Sequence, residues 1–142
     1  MASITALNSA YVLAVPGLIP ATVLQGFSAD DIFGTDSIER IETLIGVDGK
    51  LSGGLVSVKV TQKIMLQADS PSNLIFEQWR AAEQAARDVF FANATISLVS
   101  IGRKYACANG LLTNYQILAD AGKLLKPRSF TITWESVTAA PN

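Results

Sequence analysis

The sequence predicts a mainly β fold of the α+β class: a sandwich or barrel with one flanking α-helix and a long β-hairpin. Apolar and polar residues alternate over Leu55–Gln67, which predicts one long strand. A β-rich run, Ile38–Val47, precedes it across a glycine-containing linker, and the stretch after Pro71 has helical periodicity. The chain has 142 residues, of which 49% are hydrophobic and 16% charged. This composition predicts a single domain over residues 1–142 with a substantial core.

The stretch Leu55–Gln67 predicts a half-buried strand with one wet side. Three residues break the alternation, Gln62 on the apolar face and Leu55 and Met65 on the polar face. Thirteen residues is well beyond the usual strand length of about 5–6 residues. The predicted apolar face contains Val56, Val58, Val60, Ile64 and Leu66, and the predicted polar face contains Ser57, Lys59, Thr61, Lys63 and Gln67.

A hairpin is predicted over Ile38–Leu66. The linker Asp48–Gly54 contains an Asp-Gly turn signal and the pair Gly53-Gly54, which favour a flexible tip. Neither flanking strand contains proline, so both can pair along their full length.

One helix is predicted after Asp69-Ser70-Pro71, with Ser70 as the cap and Pro71 at the first helical position. Arg80, Glu83 and Arg87 lie on a face of their own at spacings that allow ion pairs, and an ordinary solvated surface is the alternative interpretation. The apolar stripe consists of Ile75, Trp79, Ala82, Ala86 and Val89 or Phe90.

About seven strands are predicted in all. Two early strands, Tyr11–Val15 and Ala21–Phe27, are joined by a Pro/Gly turn, and Thr95–Ile101 reads as another strand. The segment Ala106–Leu118 is ambiguous between strands and a short helix, and Lys123–Arg128 reads as a basic loop. Ser129–Val137 is a strand with Phe130, Ile132 and Trp134 facing in and Thr131, Thr133 and Glu135 facing out, and the tail Thr138–Asn142 is expected to be loose.

The residue inventory argues against an enzyme. The chain has no histidine, which excludes Ser-His-Asp and Cys-His catalysis. The adjacent carboxylates Asp30 and Asp31 point to opposite sides of an extended chain, and Asp36 and Asp48 read as turn residues. The single cysteine, Cys107, is expected to be a buried small hydrophobe. We therefore expect no catalytic residue, no metal site and no cofactor.

Membrane insertion and bulk nucleic-acid binding are also disfavoured. The apolar stretch Tyr11–Leu24 is interrupted by Pro16, Gly17 and Pro20, so it cannot span a bilayer as one helix. The N-terminus lacks the positive region of a signal peptide. A net charge of −1 offers no general attraction for phosphates.

The charges are unevenly distributed along the chain. Residues 1–48 contain six acidic residues against Arg40 alone, and residues 101–128 contain five basic residues against Asp120 alone. If these segments lie at opposite ends of the domain, copies can stack head to tail with opposite charges meeting. Chance segregation on a solvated surface is the alternative.

The order of these features resembles the tail tube proteins of contractile-tailed bacteriophages, which are similar in fold to type VI secretion tube proteins. The resemblance covers most of the chain, and the junction from the long strand into the helix is its most specific part. It is carried, in order, by Gly26-Phe27-Ser28-Ala29-Asp30-Asp31-Ile32, Asp48-Gly49, the alternating strand, Leu66-Gln67-Ala68-Asp69-Ser70-Pro71-Ser72-Asn73 and Phe130-Thr131-Ile132-Thr133-Trp134-Glu135.

This resemblance implies a tail-tube fold and a structural role in a virion tail. It implies hexameric rings in which the sheets of six subunits join into one barrel around a lumen. The rings would stack head to tail inside a contractile sheath, and the lumen would hold the tape-measure protein and later pass DNA without sequence-specific contacts. Before incorporation into the virion, the subunit would assemble in the host cytoplasm.

The resemblance also suggests three surfaces. Residues on the polar face of the long strand, Ser57, Lys59, Thr61 and Lys63, would line the lumen. Because tube lumens in this family tend to be acidic, either other strands supply compensating carboxylates or Lys59 and Lys63 lie near a subunit boundary, and we expect the second. The helix face with Arg80, Glu83 and Arg87 would meet the sheath. The hairpin tip would stack one ring on the next through Val47, Asp48, Gly49, Lys50, Leu51, Ser52, Gly53 and Gly54.

Three alternatives remain open at this point. The subunit could belong to a phage-like bacteriocin or a contractile injection system, whose subunit physics is the same. It could be a monomeric β-barrel whose apolar excess lines a ligand pocket. An enzyme using carboxylates alone would need two acids brought into one cleft, and nothing in their spacing favours that.

Overall fold

The computed structural model describes residues 3–4, 7–28 and 32–141, and within them the chain is mainly β, as predicted. One α-helix and one short 3₁₀ helix accompany nine strands in this part of the chain. In chain order the elements are β1 (Ala10–Val15), β2 (Ile19–Val23), β3 (Phe33–Thr35), β4 (Ile41–Ile45), β5 (Leu51–Leu55), β6 (Val60–Leu66), α1 (Asn73–Ala86), β7 (Ala92–Leu98), the 3₁₀ helix (Val99–Ile101), β8 (Arg103–Tyr115) and β9 (Arg128–Pro141).

Seven strands form one antiparallel sheet in the order β2-β1-β7-β8-β9-β6-β3, and β4 and β5 form a separate two-stranded sheet. The large sheet curls strongly. The Tyr11 ring on β1 packs edge-on against the Phe33 ring on β3, with ring centroids 5.7 Å apart. In the sheet, β7, β8, β9 and β6 lie between these two strands. The segment after β2 closes this gap, because the Gln67 amide donates to the Gly26 carbonyl and the Ser28 amide to the Met65 carbonyl.

The core lies inside this curl, and α1 covers one end of it. Phe76 stacks on Phe130 of β9 with ring centroids 4.2 Å apart, and the Trp79 indole donates to the Phe90 carbonyl. The inward set on β9 is the predicted one: Phe130, Ile132 and Trp134 are fully buried.

A polar residue in the core ties three strands together. The Gln62 side-chain oxygen accepts hydrogen bonds from the Tyr11 hydroxyl at 2.6 Å and from the Trp134 indole at 3.1 Å. These bonds explain why a glutamine interrupts the apolar face of β6, since a buried amide is tolerated when its hydrogen bonds are made.

The predicted thirteen-residue strand Leu55–Gln67 is wrong. The chain instead contains β5 and β6, with residues 56–59 outside any strand. The reason is a change of partner: β5 pairs with β4, whereas β6 pairs with β9 and β3. The hairpin is accordingly β4–β5 alone, shorter than the predicted Ile38–Leu66.

The helix begins later than predicted, at Asn73. The Ser70 hydroxyl donates to the Gln25 carbonyl and accepts from the Ser72 amide, so it does not cap a helix starting at Pro71. The buried stripe is also shifted. It includes Phe76 and Trp79, whereas Ala86 and Val89 are exposed because the last turn of the helix reaches past the core.

Three further predictions about the second half of the chain change. The ambiguous segment Ala106–Leu118 is mostly β8, and the tail to Pro141 is a strand rather than loose, because Thr138–Pro141 pairs with Arg103–Ala106. Thr95–Ile101 divides into the end of β7 and the 3₁₀ helix. The acidic pair Asp30 and Asp31 lies outside the described residues.

The strands β8 and β9 change face near their middle. Asn109 has a positive φ of 51°, and its side-chain amide contacts the Glu135 carboxylate. As a result both Cys107 and Gly110, three residues apart, face the core. A Cβ at position 110 would lie 2.4 Å from the Trp134 ring, so only glycine fits beneath this tryptophan.

Gly110→Ala is expected to destabilise the fold by about 1–3 kcal/mol, because the added methyl overpacks a closed core. Chemical denaturation followed by tryptophan fluorescence measures the change. Gly34→Ala on β3 is the matched control, since its added methyl meets nothing within 4 Å. Equal stability of the two variants would contradict the assigned contact with Trp134.

Cys107 is a buried small side chain, as predicted, at 3% exposure. Burial raises the pKa of its thiol from 9.0 to about 11. Burial also raises the pKa of Tyr11 well above its usual value, with a smaller contribution from Cys107. Native protein therefore holds these protons more tightly than unfolded chain does.

The pH dependence of folding stability follows from the raised pKa of the thiol. Stability from the protonated thiol is complete below about pH 9 and is lost as the pH rises toward about 11, because the unfolded chain then releases its proton. We expect the denaturant midpoint of Cys107→Ala to fall less steeply than that of the wild type between these pH values. Tyr11 is buried in both proteins, so the difference reports the thiol together with its smaller effect on Tyr11, and parallel curves would contradict the assigned shift.

Candidate assembly surfaces

The hairpin β4–β5 exposes an apolar face. Alternation along two paired strands puts Ile41, Ile45, Leu51 and Leu55 on one side, where Ile41 opposes Leu55 and Ile45 opposes Leu51. These four side chains, called here the hairpin face, are exposed by 37%, 69%, 68% and 81%. Among the described residues no strand of the large sheet pairs with either β4 or β5. A two-stranded hairpin of this kind is marginally stable in water, so a covering partner would add most of its stability.

The predicted stacking segment Val47–Gly54 is partly turn and partly strand. The Gly46 amide donates to the Lys50 carbonyl, the Gly49 amide to the Gly46 carbonyl, and the Lys50 amide to the Asp48 carboxylate. Gly49 has a φ of +80°, so the Asp-Gly signal correctly marks the turn. Leu51, Ser52, Gly53 and Gly54 belong to β5, which makes the turn shorter than the predicted linker.

The polar side of the large sheet is rich in threonine. Thr61 and Lys63 on β6 pair with Thr133 and Thr131 on β9, and Thr113 on β8 approaches Thr133 with their hydroxyl oxygens 3.1 Å apart. This threonine-rich face consists of Thr61, Lys63, Thr113, Thr131 and Thr133.

The other two predicted lumen residues, Ser57 and Lys59, lie before β6 in residues 56–59, which form no strand. Both are exposed. Lys59 shares a shallow depression with Asn109 and Glu135, so a carboxylate from another strand accompanies this lysine.

The three residues of the charged helix face differ in exposure and in contacts. The Arg80 guanidinium lies over the Tyr115 ring, 5.2 Å from its centre, and Glu83 accepts a hydrogen bond from the Phe90 amide at 3.0 Å. Both side chains are half-buried, whereas Arg87 is exposed and ends the helix with a φ of 54°. The expected ion pairs are replaced by these contacts.

The strand-to-helix junction that carries the family resemblance is a clamp on the segment after β2. Ser70 and Ser72 bind the two sides of one residue, since the Ser70 hydroxyl donates to the Gln25 carbonyl and the Gln25 amide donates to the Ser72 hydroxyl. Asn73 closes the loop by donating to the carbonyls of Gln67 at 3.0 Å and Ala68 at 3.2 Å. The sequence Ser-Pro-Ser-Asn therefore has a structural function here.

The sequence predicts a basic loop over Lys123–Arg128 and does not predict the role of Arg128, which begins β9. Its side chain is buried and pairs with Glu77 of α1 at 3.0 Å. It also donates to the carbonyls of Gln116 and Ile117 and lies over the rings of Tyr115 and Phe130. The signal was present, because Arg128 has the same parity as the inward residues Phe130, Ile132 and Trp134.

The basic residues of 101–128 do not form one end of the molecule. Arg103 and Lys104 begin β8, whereas Lys123 and Lys126 follow its end, about 40 Å away for a thirteen-residue strand. Arg128 is neutralised by Glu77. The basic segment therefore does not meet the condition for head-to-tail stacking by opposite charges.

An apolar cavity of about 300 Å³ lies inside the curl, near the face change of β8 and β9. Its walls include Phe33, Ile96, Cys107, Trp134 and Val137. Across the described ranges no three His, Cys, Asp or Glu side chains come together as metal ligands. No helix in the described part of the chain is long and apolar enough to cross a membrane.

The family model for tail fiber protein gp32 matches residues 2–138. The chain belongs to the tail fiber protein gp32 family. Comparison with curated proteins gives no match.

Solved structures show the same fold in chains of contractile particles. A chain from the cap that terminates the anti-feeding prophage tube has a TM-score of 0.60 and 13% identity, covering 100% of this chain and 93% of its own length. One from the six-fold symmetrised baseplate of the same particle has a TM-score of 0.59 and 9% identity, covering 99% and 97%. Another, from the sheath–tube complex of the extracellular contractile injection system PVC, has a TM-score of 0.56 and 13% identity, covering 93% and 88%.

Family and fold together support a structural role in a phage-like tail and do not single out the tube. The expectation of a tail protein is confirmed at this coarser level, with the family described as tail fiber rather than tail tube.

Arg128→Met is expected to destabilise the fold by about 1–3 kcal/mol, because it leaves the carbonyls of Gln116 and Ile117 without their donor. Thermal or denaturant unfolding measures the loss. Lys123→Met is the control, since Lys123 is exposed in the same region of the chain. A loss no larger than that of the control would show that the buried guanidinium is dispensable.

Proposed function

We propose that this chain is a structural, non-enzymatic subunit of a tail tube, forming hexameric rings that stack into a hollow cylinder inside a contractile sheath. The hairpin face is the observation that carries the proposal. Covering an Ile or Leu side chain contributes about 1.5–3 kcal/mol, so four uncovered residues are a strong drive toward a partner.

Unpaired strand edges supply a second reason for self-association. Glu135–Pro141 of β9 extends beyond β6 and has β8 as its strand partner on one side, and Leu111–Tyr115 of β8 extends beyond β7. Exposed edges accept strands from other chains, and a closed ring removes such edges. The hairpin of a neighbour is a suitable strand donor because, within the described ranges, no further strand pairs with its outer edges.

The remaining surfaces fit the same arrangement. The threonine-rich face offers hydroxyl groups and few charges, which suits a lumen that passes the tape-measure protein and DNA without specific contacts. Lys59 and Lys63 would lie near a subunit boundary, and the helix surface with Arg80, Glu83 and Arg87 would face the sheath, mainly through exposed Arg87. The six-fold symmetry of the matched baseplate structure supports a ring of six.

A bacteriocin-like or injection-system particle is the second candidate, and the matches to the anti-feeding prophage and PVC structures favour it. The virion tail and the injection particle require the same ring. The location in a tail particle, with assembly in the host cytoplasm, is part of the proposal in both cases.

The test is the assembly state of the purified chain. Size-exclusion chromatography with light scattering should show a species of six times 15.1 kDa and larger stacks, visible as rings and cylinders by electron microscopy. The double variant Ile45→Ser/Leu51→Ser removes one apolar pair from the hairpin face and should give a folded monomer with an unchanged circular dichroism spectrum.

Leu74→Ser is the matched control, because Leu74 is an equally exposed apolar residue on the helix, at 59%. It should assemble like the wild type. A wild type that stays monomeric at every concentration, with saturable small-molecule binding in its apolar cavity, would instead support the monomeric ligand-binding barrel.

A further inference from the structure

The apolar cavity inside the curl is large enough to hold a small molecule. Its volume is about 300 Å³. An apolar cavity of about half this volume binds benzene, so a molecule about twice the size of benzene fits here. Strands β3, β6, β7, β8 and β9 all contribute to its walls. Leu98, Tyr105 and Val137 are only partly buried, so this side of the cavity reaches the surface and gives a molecule a way in.

Gln62 places an incompletely hydrogen-bonded amide at the wall of this cavity. The side chain is 3% exposed, and its oxygen already accepts from the Tyr11 hydroxyl and the Trp134 indole. Because an indole nitrogen can only donate, these bonds fix which end of the amide is the oxygen. The amide nitrogen has the Thr35 hydroxyl as its partner in the described part of the chain, at 3.5 Å, which is beyond the usual range of about 2.7–3.2 Å. Donation from this buried nitrogen to a closer acceptor is therefore favourable.

The walls of the cavity favour a neutral occupant. Among the described residues that line it, none carries a charge at neutral pH. The Cys107 thiol lines the cavity and stays protonated, because burial raises its pKa to about 11. An ion would lose its hydration there without gaining a counter-charge.

We propose that this cavity is a binding site for a neutral, hydrocarbon-rich molecule with one hydrogen-bond acceptor, such as a ketone or ester carbonyl, which accepts from the Gln62 nitrogen. The apolar walls contribute affinity by removing hydrocarbon from water, and Gln62 selects for the acceptor. The residues of the hairpin face do not line the cavity, so the site goes beyond the proposed assembly.

Isothermal titration calorimetry with two matched molecules tests the site. Indanone is a bicyclic aromatic ketone, and indane has the same rings without the carbonyl. Each subunit should bind one indanone saturably and about two- to tenfold more tightly than indane, because one hydrogen bond to a buried amide distinguishes them. Equal affinities for the two molecules, or no saturable binding of indanone, would overturn the proposal.

Cys107 reports whether indanone lies in the cavity. It is the single cysteine of the chain and lines the cavity, so saturating indanone should slow its modification by methyl methanethiosulfonate severalfold in the folded wild type. An unchanged rate of modification at saturation would contradict the assigned location.

A cavity-filling variant gives a second test of location. Val137→Phe should weaken indanone binding by about tenfold or more, because the larger side chain occupies the cavity. Val89→Phe is the matched control, since Val89 is 52% exposed and lies outside the cavity, and it should bind like the wild type. Wild-type affinity in a folded Val137→Phe protein would count against the site.

Light scattering of the same samples separates this inference from the proposed function. Assembled protein that binds no indanone would overturn the site and leave the assembly standing. Protein that is monomeric at every concentration and binds indanone would support the site and contradict the assembly.

Discussion

The uncovered apolar face of the β4–β5 hairpin is the constraint on which the proposed assembly depends. The chain changes strand partner between Leu55 and Val60, so no described strand of the large sheet pairs with the hairpin. Its isoleucines and leucines consequently stay in water in a single subunit. An arrangement in which a neighbour covers this face resolves an otherwise unfavourable exposure, and the free edges of β8 and β9 give that neighbour a place to pair.

Polar side chains hold the rest of the subunit together. Gln62 joins β6 to β1 and β9 through Tyr11 and Trp134. Arg128 fastens the loop between β8 and β9 to the helix, and the Ser70–Asn73 clamp fastens the segment after β2. Such polar contacts are made within the core, where a satisfied network favours one arrangement of the strands.

The features predicted from the sequence were those with local causes. Alternation identified Phe130, Ile132 and Trp134 as the inward set of β9, and Asp48-Gly49 marked the hairpin turn. The missed features depend on contacts distant in the chain. The apolar–polar alternation of the sequence continues through residues 56–59, although no strand in the described part of the chain pairs with them. The burial of Arg128 depends on Glu77, fifty-one positions away, and the face change at Asn109 depends on a left-handed backbone that no local pattern announced. The sequence identified the hairpin turn, the polar strand face and the charged helix face as candidate surfaces. It did not identify the apolar hairpin face, because that face is defined by which residues of β4 and β5 pair with each other.

Hydrogen–deuterium exchange of residues 41–55 tests the central claim most directly, because it reads the hairpin itself in the assembled and dissociated protein. The account predicts fast exchange of the β4 and β5 amides in dilute single subunits and strong protection in assemblies, while β7 and the inner part of β9 are protected in both. Hairpin amides that exchange equally fast in assembled particles and in monomers would contradict it.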